Sequence, residues 1–213
     1  MSFDAALDQV LPADLPRREE LLLLGSRHLQ LIVEANQTMN LTRIVSEEEA
    51  AIKHVLDSVL PWRLFASASS IADAGTGAGF PGIPLAILLP ETRFVLLESI
   101  QKKARFVQSA VAALGLRNVS VEAVRAEDWL KKERTEILTA RAMAPLDKAA
   151  ALLGPVWPRD MKGLLYKGPD LAQEIAAAEK PLRKCRLMVQ ETERYELPRE
   201  MGTRTIALMR KQS

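Results

Sequence analysis

A chain of 213 residues, 48% hydrophobic and 26% charged, is long enough for one domain with an extension and is expected to fold as a globular protein. The formal net charge of +2 does not demand a polyanionic partner, although 29 Lys and Arg residues are enough to form a basic face. The one cysteine, Cys185, excludes an intramolecular disulfide and a multi-cysteine zinc site; the start MSFDAALDQV has no signal-peptide pattern and no apolar run nears the roughly 20 residues of a bilayer span, so a soluble cytoplasmic protein with no membrane partner is expected.

In chain order, Leu21, Leu24, His28, Leu31 and Ala35 recur at three- and four-residue steps and predict an amphipathic helix from Leu15 to about Ala35, with Pro16 in its first turn. Turn-forming polar residues follow from Asn36 to Ile44. Ser46 then offers an N-cap, and Glu47, Glu48 and Glu49 suit the positive end of a second helix running to Leu60. Pro61 and the small residues Ala66 to Ser70 separate a helical lead-in, residues 1–66, from a catalytic domain, residues 67–213.

Beyond Ser70 short apolar strands alternate with helices. Strands are predicted at Ile71 to Ala74, Phe94 to Leu97, Val119 to Val124, Ile137 to Ala140, Gly163 to Tyr166, Leu187 to Val189 and Thr205 to Met209. Helices are predicted near Ile83 to Leu89, Lys102 to Leu114, Glu127 to Lys132, Asp147 to Val156 and Asp170 to Glu179. The alternation predicts an α/β fold with a mostly parallel seven-stranded sheet, and the missing helix between the last two strands makes them an antiparallel edge hairpin. That plan is similar to the Rossmann-like class I methyltransferase architecture.

The decisive segment directly follows the first of these strands: Asp73-Ala74-Gly75-Thr76-Gly77-Ala78-Gly79-Phe80-Pro81-Gly82. Glycines at alternate positions let the backbone turn sharply and approach a ligand closely, and the carboxyl end of the first strand is where open α/β sheets bind nucleotides. Gly77, Gly79 and Gly82 also spell the dinucleotide pattern, but Pro81 and Pro84 remove backbone N–H groups that a pyrophosphate needs; S-adenosylmethionine has no phosphate and tolerates their loss. Glu98, ending the second strand, suits the two ribose hydroxyls, and Asp73 offers an acid near a cofactor bearing a sulfonium and an ammonium. Ala126 and Glu127, after the third strand, offer a backbone N–H and a polar side chain to an adenine. The alternative is a glycine-rich turn beside a solvated glutamate and an ordinary helix start.

After the fourth strand stands Arg141-Ala142-Met143-Ala144-Pro145, without the Asn/Asp-Pro-Pro-aromatic pattern that accompanies methylation of exocyclic amines. Methylation at a pyrimidine C5 needs a thiolate, and Cys185 lies far along the chain beside a late edge strand. Guanine N7 has a lone pair and no proton to lose, so it needs neither base nor nucleophile; many small-molecule acceptors fit the same description. Arg141 offers a guanidinium fork to a cofactor carboxylate or an RNA phosphate.

These residues together resemble the family of bacterial 16S ribosomal RNA guanine-N7 methyltransferases, also called the glucose-inhibited division protein B family. The likeness runs through Asn40-Leu41-Thr42, Lys53 to Ser58, Gly75 to Leu85, Glu98 with Lys102-Lys103, Arg125-Ala126-Glu127, Ala140-Arg141-Ala142 and Lys167-Gly168. It implies that Gly75, Phe80, Glu98, Ser99, Ile100, Ala126, Glu127 and Arg141 contact S-adenosylmethionine, some through the backbone alone. The implied substrate is one guanine in the 530 loop of 16S ribosomal RNA, met in the small subunit or an assembly intermediate, by a protein expected to be a monomer. The family's usual Arg-His pair near the C-terminus is Arg204-Thr205 here, and Glu98 stands where many relatives have Asp. Alternatives are a small-molecule or protein methyltransferase and a non-catalytic nucleotide-binding scaffold.

Lys102, Lys103 and Arg105 form one basic patch, and Lys180, Arg183, Lys184 and Arg186 another; each is an RNA candidate or a solvated face. His54, Lys167 and Arg204 join the first patch as candidate RNA contacts. His28, on an apolar helix face, reads as a hydrogen-bonded core histidine. His54 shares a helical face with Asp57 and is either a link between lead-in and catalytic domain or a substrate contact.

Overall fold

A computed structural model describes residues 2–44 and 46–212. Met1, Val45 and Ser213, which the two ranges drawn from the sequence include, lie outside the described residues.

The lead-in begins with α1 (Phe3–Val10) and α2 (Arg18–Asn36), and the first of these was not anticipated. Helix α2 starts at Arg18 rather than Leu15, because Arg17 takes a left-handed conformation and breaks the backbone path after Pro16. The second predicted helix is present but not uniform: α3 (Glu47–Ala50), a π-helical segment (Ala51–Leu56) and α4 (Asp57–Val59) follow one another. Ser46 occupies the N-cap position without a side-chain capping bond.

Seven strands among the described residues form one sheet: β1 (Ser70–Ala74), β2 (Arg93–Leu97), β3 (Val119–Glu122), β4 (Ile137–Arg141), β5 (Lys162–Lys167), β6 (Leu187–Glu196) and β7 (Thr203–Lys211). The order is β3-β2-β1-β4-β5-β7-β6; the first five strands are parallel, and β7 runs antiparallel between β5 and β6. The predicted hairpin is therefore the sheet edge. Between the strands lie α5 (Gly82–Leu88), α6 (Gln101–Ala113), α7 (Ala126–Leu130), α8 (Leu146–Leu153), α9 (Leu171–Ala177) and α10 (Glu179–Lys184). The helix expected from Asp147 to Val156 ends at Leu153 in a 3-10 turn, and α10 is an addition, begun afresh with Pro181 in its first turn.

The period-two alternation of the strands divides two cores. Ile71, Phe94, Leu96, Ile137 and Ile206 face the lead-in helices, α5 and α6. Ala72, Val95, Leu97, Leu138 and Ala207 face α7, α8, α9 and α10. The lead-in thus shares its core with one face of the sheet, and packing is continuous across residues 66 and 67. Strand order reverses between β1 and β4, which leaves a crevice at their carboxyl ends. No helix is long and apolar enough to cross a membrane among the described residues.

Candidate functional site

The loop after β1 holds its shape through its own residues. Gly75, Gly77 and Gly79 have φ of +71°, +62° and +103°, a region that other residues enter only with strain. The N–H groups of Gly75 and Thr76 both donate to the Leu97 carbonyl, at 2.9 and 3.0 Å. Beneath the loop Asp73 Oδ2 accepts from the Thr76 hydroxyl (2.6 Å) and the Gly82 N–H (3.0 Å). Asp73 is fully buried, and burial pushes its carboxyl up to about 6 despite those two bonds. Expected to act on a bound cofactor, this acid instead points inward and fastens the loop to the start of α5.

Glu98, at the end of β2, completes the clasp. Its carboxylate accepts from Gly77 N–H at 3.1 Å and from Ile100 N–H at 2.8 Å. Gly75, Ser99, Ala126 and Glu127 meet around a cavity of about 210 Å³ walled by Leu97, Val124, Met143 and Leu152. A Cβ built on Gly75 would meet nothing within 4 Å, so the loop borders open space there. Met143 and Leu152 were not among the expected residues; nothing in their local sequence marks them, since α8 and the β4 loop bring them in.

Gly79 and Phe80 face the lead-in. Gly79 lies tight against it, where a Cβ would come within 3.1 Å of the His28 ring. The Phe80 ring sits between His28 and His54, with centroid distances of 4.7 and 4.6 Å. His28 is the buried core histidine expected, bonded through Nε2 to the Ala78 carbonyl at 2.8 Å. Burial depresses both rings, His28 to about 4 and His54 to about 3, the charge of Arg141 adding to the second. Both are neutral at physiological pH.

Arg141, ending β4, spans the same interface. Its Nη1 donates to the carbonyls of Lys53 (2.7 Å) and His54 (3.3 Å) and to Asp57 Oδ2 (3.2 Å), while its guanidinium lies 5.2 Å from the Phe80 centroid. The two carbonyls belong to the π-helical segment, an irregularity frequent at functional sites. His54 thus joins the lead-in helices to β4 and the glycine loop, and it also lines a second cavity.

That cavity, about 360 Å³, is bordered by Lys53, His54, Asp57, Arg141, Lys167 and Arg204. Ala142 borders it too, whereas the next residue, Met143, borders the first cavity, so the loop after β4 divides the two. Of the candidate RNA contacts, His54, Lys167 and Arg204 therefore come together; Lys102, Lys103 and Arg105 stand apart on α6, with Lys102 Nζ donating to the Thr38 carbonyl at 3.0 Å. Lys53, Asp57 and Tyr166 were missed as site residues, although the first two lie in the stretch carrying the resemblance.

Known proteins resemble this chain in fold and in sequence family. The cofactor-bound Rv0187 structure from MTB superposes with a TM-score of 0.61 at 20% identity, covering 98% of this chain and 96% of that one. A SAM-dependent O-methyltransferase from Thermotoga maritima superposes with a TM-score of 0.52 at 16% identity, covering 85% and 72%. Sheet order, crevice and these likenesses define a Rossmann-like class I methyltransferase fold. The family described as rRNA small subunit methyltransferase G matches residues 24–201. A protein of Solibacter usitatus (strain Ellin6076) named ribosomal RNA small subunit methyltransferase G is 58% identical over 210 residues, 99% of this chain and 100% of that one. One of the same name from Carboxydothermus hydrogenoformans is 33% identical over 199 residues, 91% and 84% of the two chains. The chain belongs to the rRNA small subunit methyltransferase G family.

Proposed function

We propose that this protein transfers a methyl group from S-adenosylmethionine to N7 of a guanine in the 530 loop of bacterial 16S ribosomal RNA. Family membership over nearly the whole chain carries the reading of an S-adenosylmethionine-dependent rRNA methyltransferase. The choice of N7 rests on the family likeness together with the chemistry around β4, whose loop bears Arg141-Ala142-Met143-Ala144 and no acid to deprotonate an amine.

The residues present fit the cofactor. Gly75 leaves room for a ligand against its backbone, and the walls of Leu97, Val124, Met143 and Leu152 suit a flat adenine. Each oxygen of Glu98 accepts one backbone N–H and has acceptor capacity left for a ribose hydroxyl. When bound, S-adenosylmethionine supplies an electrophilic methyl on its sulfonium. The chain supplies alignment: the clasped loop and Glu98 fix one partner, and the cavity of Arg141, Lys167 and Arg204 receives the other across the Ala142–Met143 divide. Guanine N7 attacks through its own lone pair, so no side chain has to take a proton in the methyl-transfer step.

Incubation with methyl-labelled S-adenosylmethionine and small ribosomal subunits from cells lacking the protein tests this reading. Label is expected in 16S RNA as N7-methylguanosine. Label in ribosomal protein only, or none, contradicts it.

A further inference from the structure

We propose that Asp57 is a positioning residue that gathers Arg141 and Arg204 into a paired guanidinium seat for a phosphodiester of the substrate RNA. This rests on the rRNA methyltransferase reading above. Asp57 is 1% exposed, yet its carboxylate is the meeting point of three strands. Oδ2 accepts from Arg141 Nη1 of β4 at 3.2 Å and from Arg204 Nε of β7 at 3.3 Å, and Oδ1 accepts from the Tyr195 hydroxyl of β6 at 3.1 Å. Burial, and then the neighbouring Asp57 charge, raise the Tyr195 phenol, so it remains a donor.

Charge accounting at the cavity points to an anion. Lys53 is paired with Glu49 at 2.6 Å and Lys167 with Glu174 at 2.7 Å, so each ammonium has its own carboxylate. Arg141 and Arg204 share one. Two guanidinium groups against a single carboxylate leave one positive charge beside a cavity of about 360 Å³, and a fork of N–H donors matches phosphate oxygens. Arg204 is the more open of the two, its side chain 26% exposed against 15% for Arg141. The cofactor's own carboxylate is the competing anion at Arg141; Arg204, on β7, borders this cavity and not the one at Gly75, and the calorimetric measurement of cofactor affinity separates the two anions.

The role of Asp57 is separable from simple electrostatics by sign. Asp57→Asn adds one positive charge to the site, so a merely attractive field would make RNA bind more tightly; loss of a positioning carboxylate makes it bind more weakly. The experiment measures KM for small subunits from cells lacking the protein, the affinity for S-adenosylmethionine by calorimetry, and thermal unfolding, for wild type, Asp57→Asn, Arg204→Gln and the double variant.

The expected result is a KM raised about tenfold in each single variant, with cofactor affinity within about twofold of wild type, and a double variant little worse than either single, as for groups acting as one unit. Arg204→Gln also lowers the log–log salt dependence of RNA binding by about 0.7, one phosphate contact on a single strand. A folded Asp57→Asn protein with unchanged or lower KM overturns the proposal. So does a cofactor affinity that falls in step with RNA affinity. Should Asp57→Asn fail to fold, Arg204→Gln decides alone, since an unchanged KM and salt slope there leaves no seat to position. Wild type that methylates no subunit RNA at all would instead remove the functional reading on which the seat depends.

Discussion

His54 stacks face to face on Phe80, with centroids 4.6 Å apart and ring planes 9° from parallel. One ring belongs to the π-helical segment of the lead-in and the other to the glycine loop, so the stack ties the loop's position to a segment outside the β/α series. Phe80 is buried, and His28 packs on its other side. Phe80→Ala is expected to destabilise the fold by about 3–5 kcal/mol, the usual cost of emptying a buried phenylalanine site. Urea unfolding measures it, and a loss below about 1 kcal/mol would mean that the sandwich closes up or contributes little.

Glu98 holds the loop from the opposite side through Gly77 and Ile100. Glu98→Ala is expected to weaken S-adenosylmethionine binding by about 1–3 kcal/mol, the range for losing charge-assisted hydrogen bonds. Calorimetric titration reads this directly. Unchanged affinity would take Glu98 out of the cofactor site.

Two glycines of the segment should fail differently. At Gly75 a side chain projects into open space at the cavity, so Gly75→Val should fold with a strain of about 1–2 kcal/mol and lose cofactor binding. At Gly82 a Cβ would come within 2.8 Å of Asp73 Oδ2, so Gly82→Ala should break the clasp and lower stability first. Parallel melting and binding curves distinguish them. Equal loss of binding at equal stability would contradict this division of labour.

Acidification should loosen the fold. Between about pH 6 and 4, His28 and His54 are neutral in the folded protein and protonated in the unfolded chain, because burial lowers them from 6.5 to about 4 and about 3. Asp73, raised by burial from 3.8 to about 6, works oppositely: folded it keeps a proton that the unfolded chain releases. Across these three groups the unfolded state therefore binds a net excess of one proton, and their contribution to stability should fall by about 1.4 kcal/mol per pH unit on acidification through this window. His28→Gln should flatten the slope to near zero, as followed by urea unfolding at successive pH values. An unaltered slope would mean that His28 titrates normally.

Most strand positions, the glycine loop and the edge hairpin are legible because their signals are local: apolar runs of strand length, alternating glycines, and no helical pattern between the last two strands. Helix α1 escaped notice because it is eight residues long and buries only Ala6 and Leu7. The apolar signal of strand β6 covers only Leu187 to Val189, yet the strand continues through Gln190 to Glu196, where edge exposure permits polar residues and removes that signal. The π-helical segment could not be read from Ala51 to Leu56, whose carbonyls bind an arginine more than 80 residues away. Asp73 shows the same limit within a site: its spacing marked an acid at the loop, but only the packing shows it turned inward to Thr76 and Gly82.

The most direct measurement is mass mapping of modified nucleosides in 16S ribosomal RNA from cells with and without this protein, complemented by the Cys185→Ser variant. Cys185 sits at the end of α10, on neither cavity. One N7-methylguanosine in the 530 loop should disappear with the protein and return with either wild type or Cys185→Ser. An N7-methylguanosine present in both cells, a lost methyl on an exocyclic amine or a pyrimidine C5, or failure of Cys185→Ser to restore it would contradict methyl transfer by alignment to guanine N7.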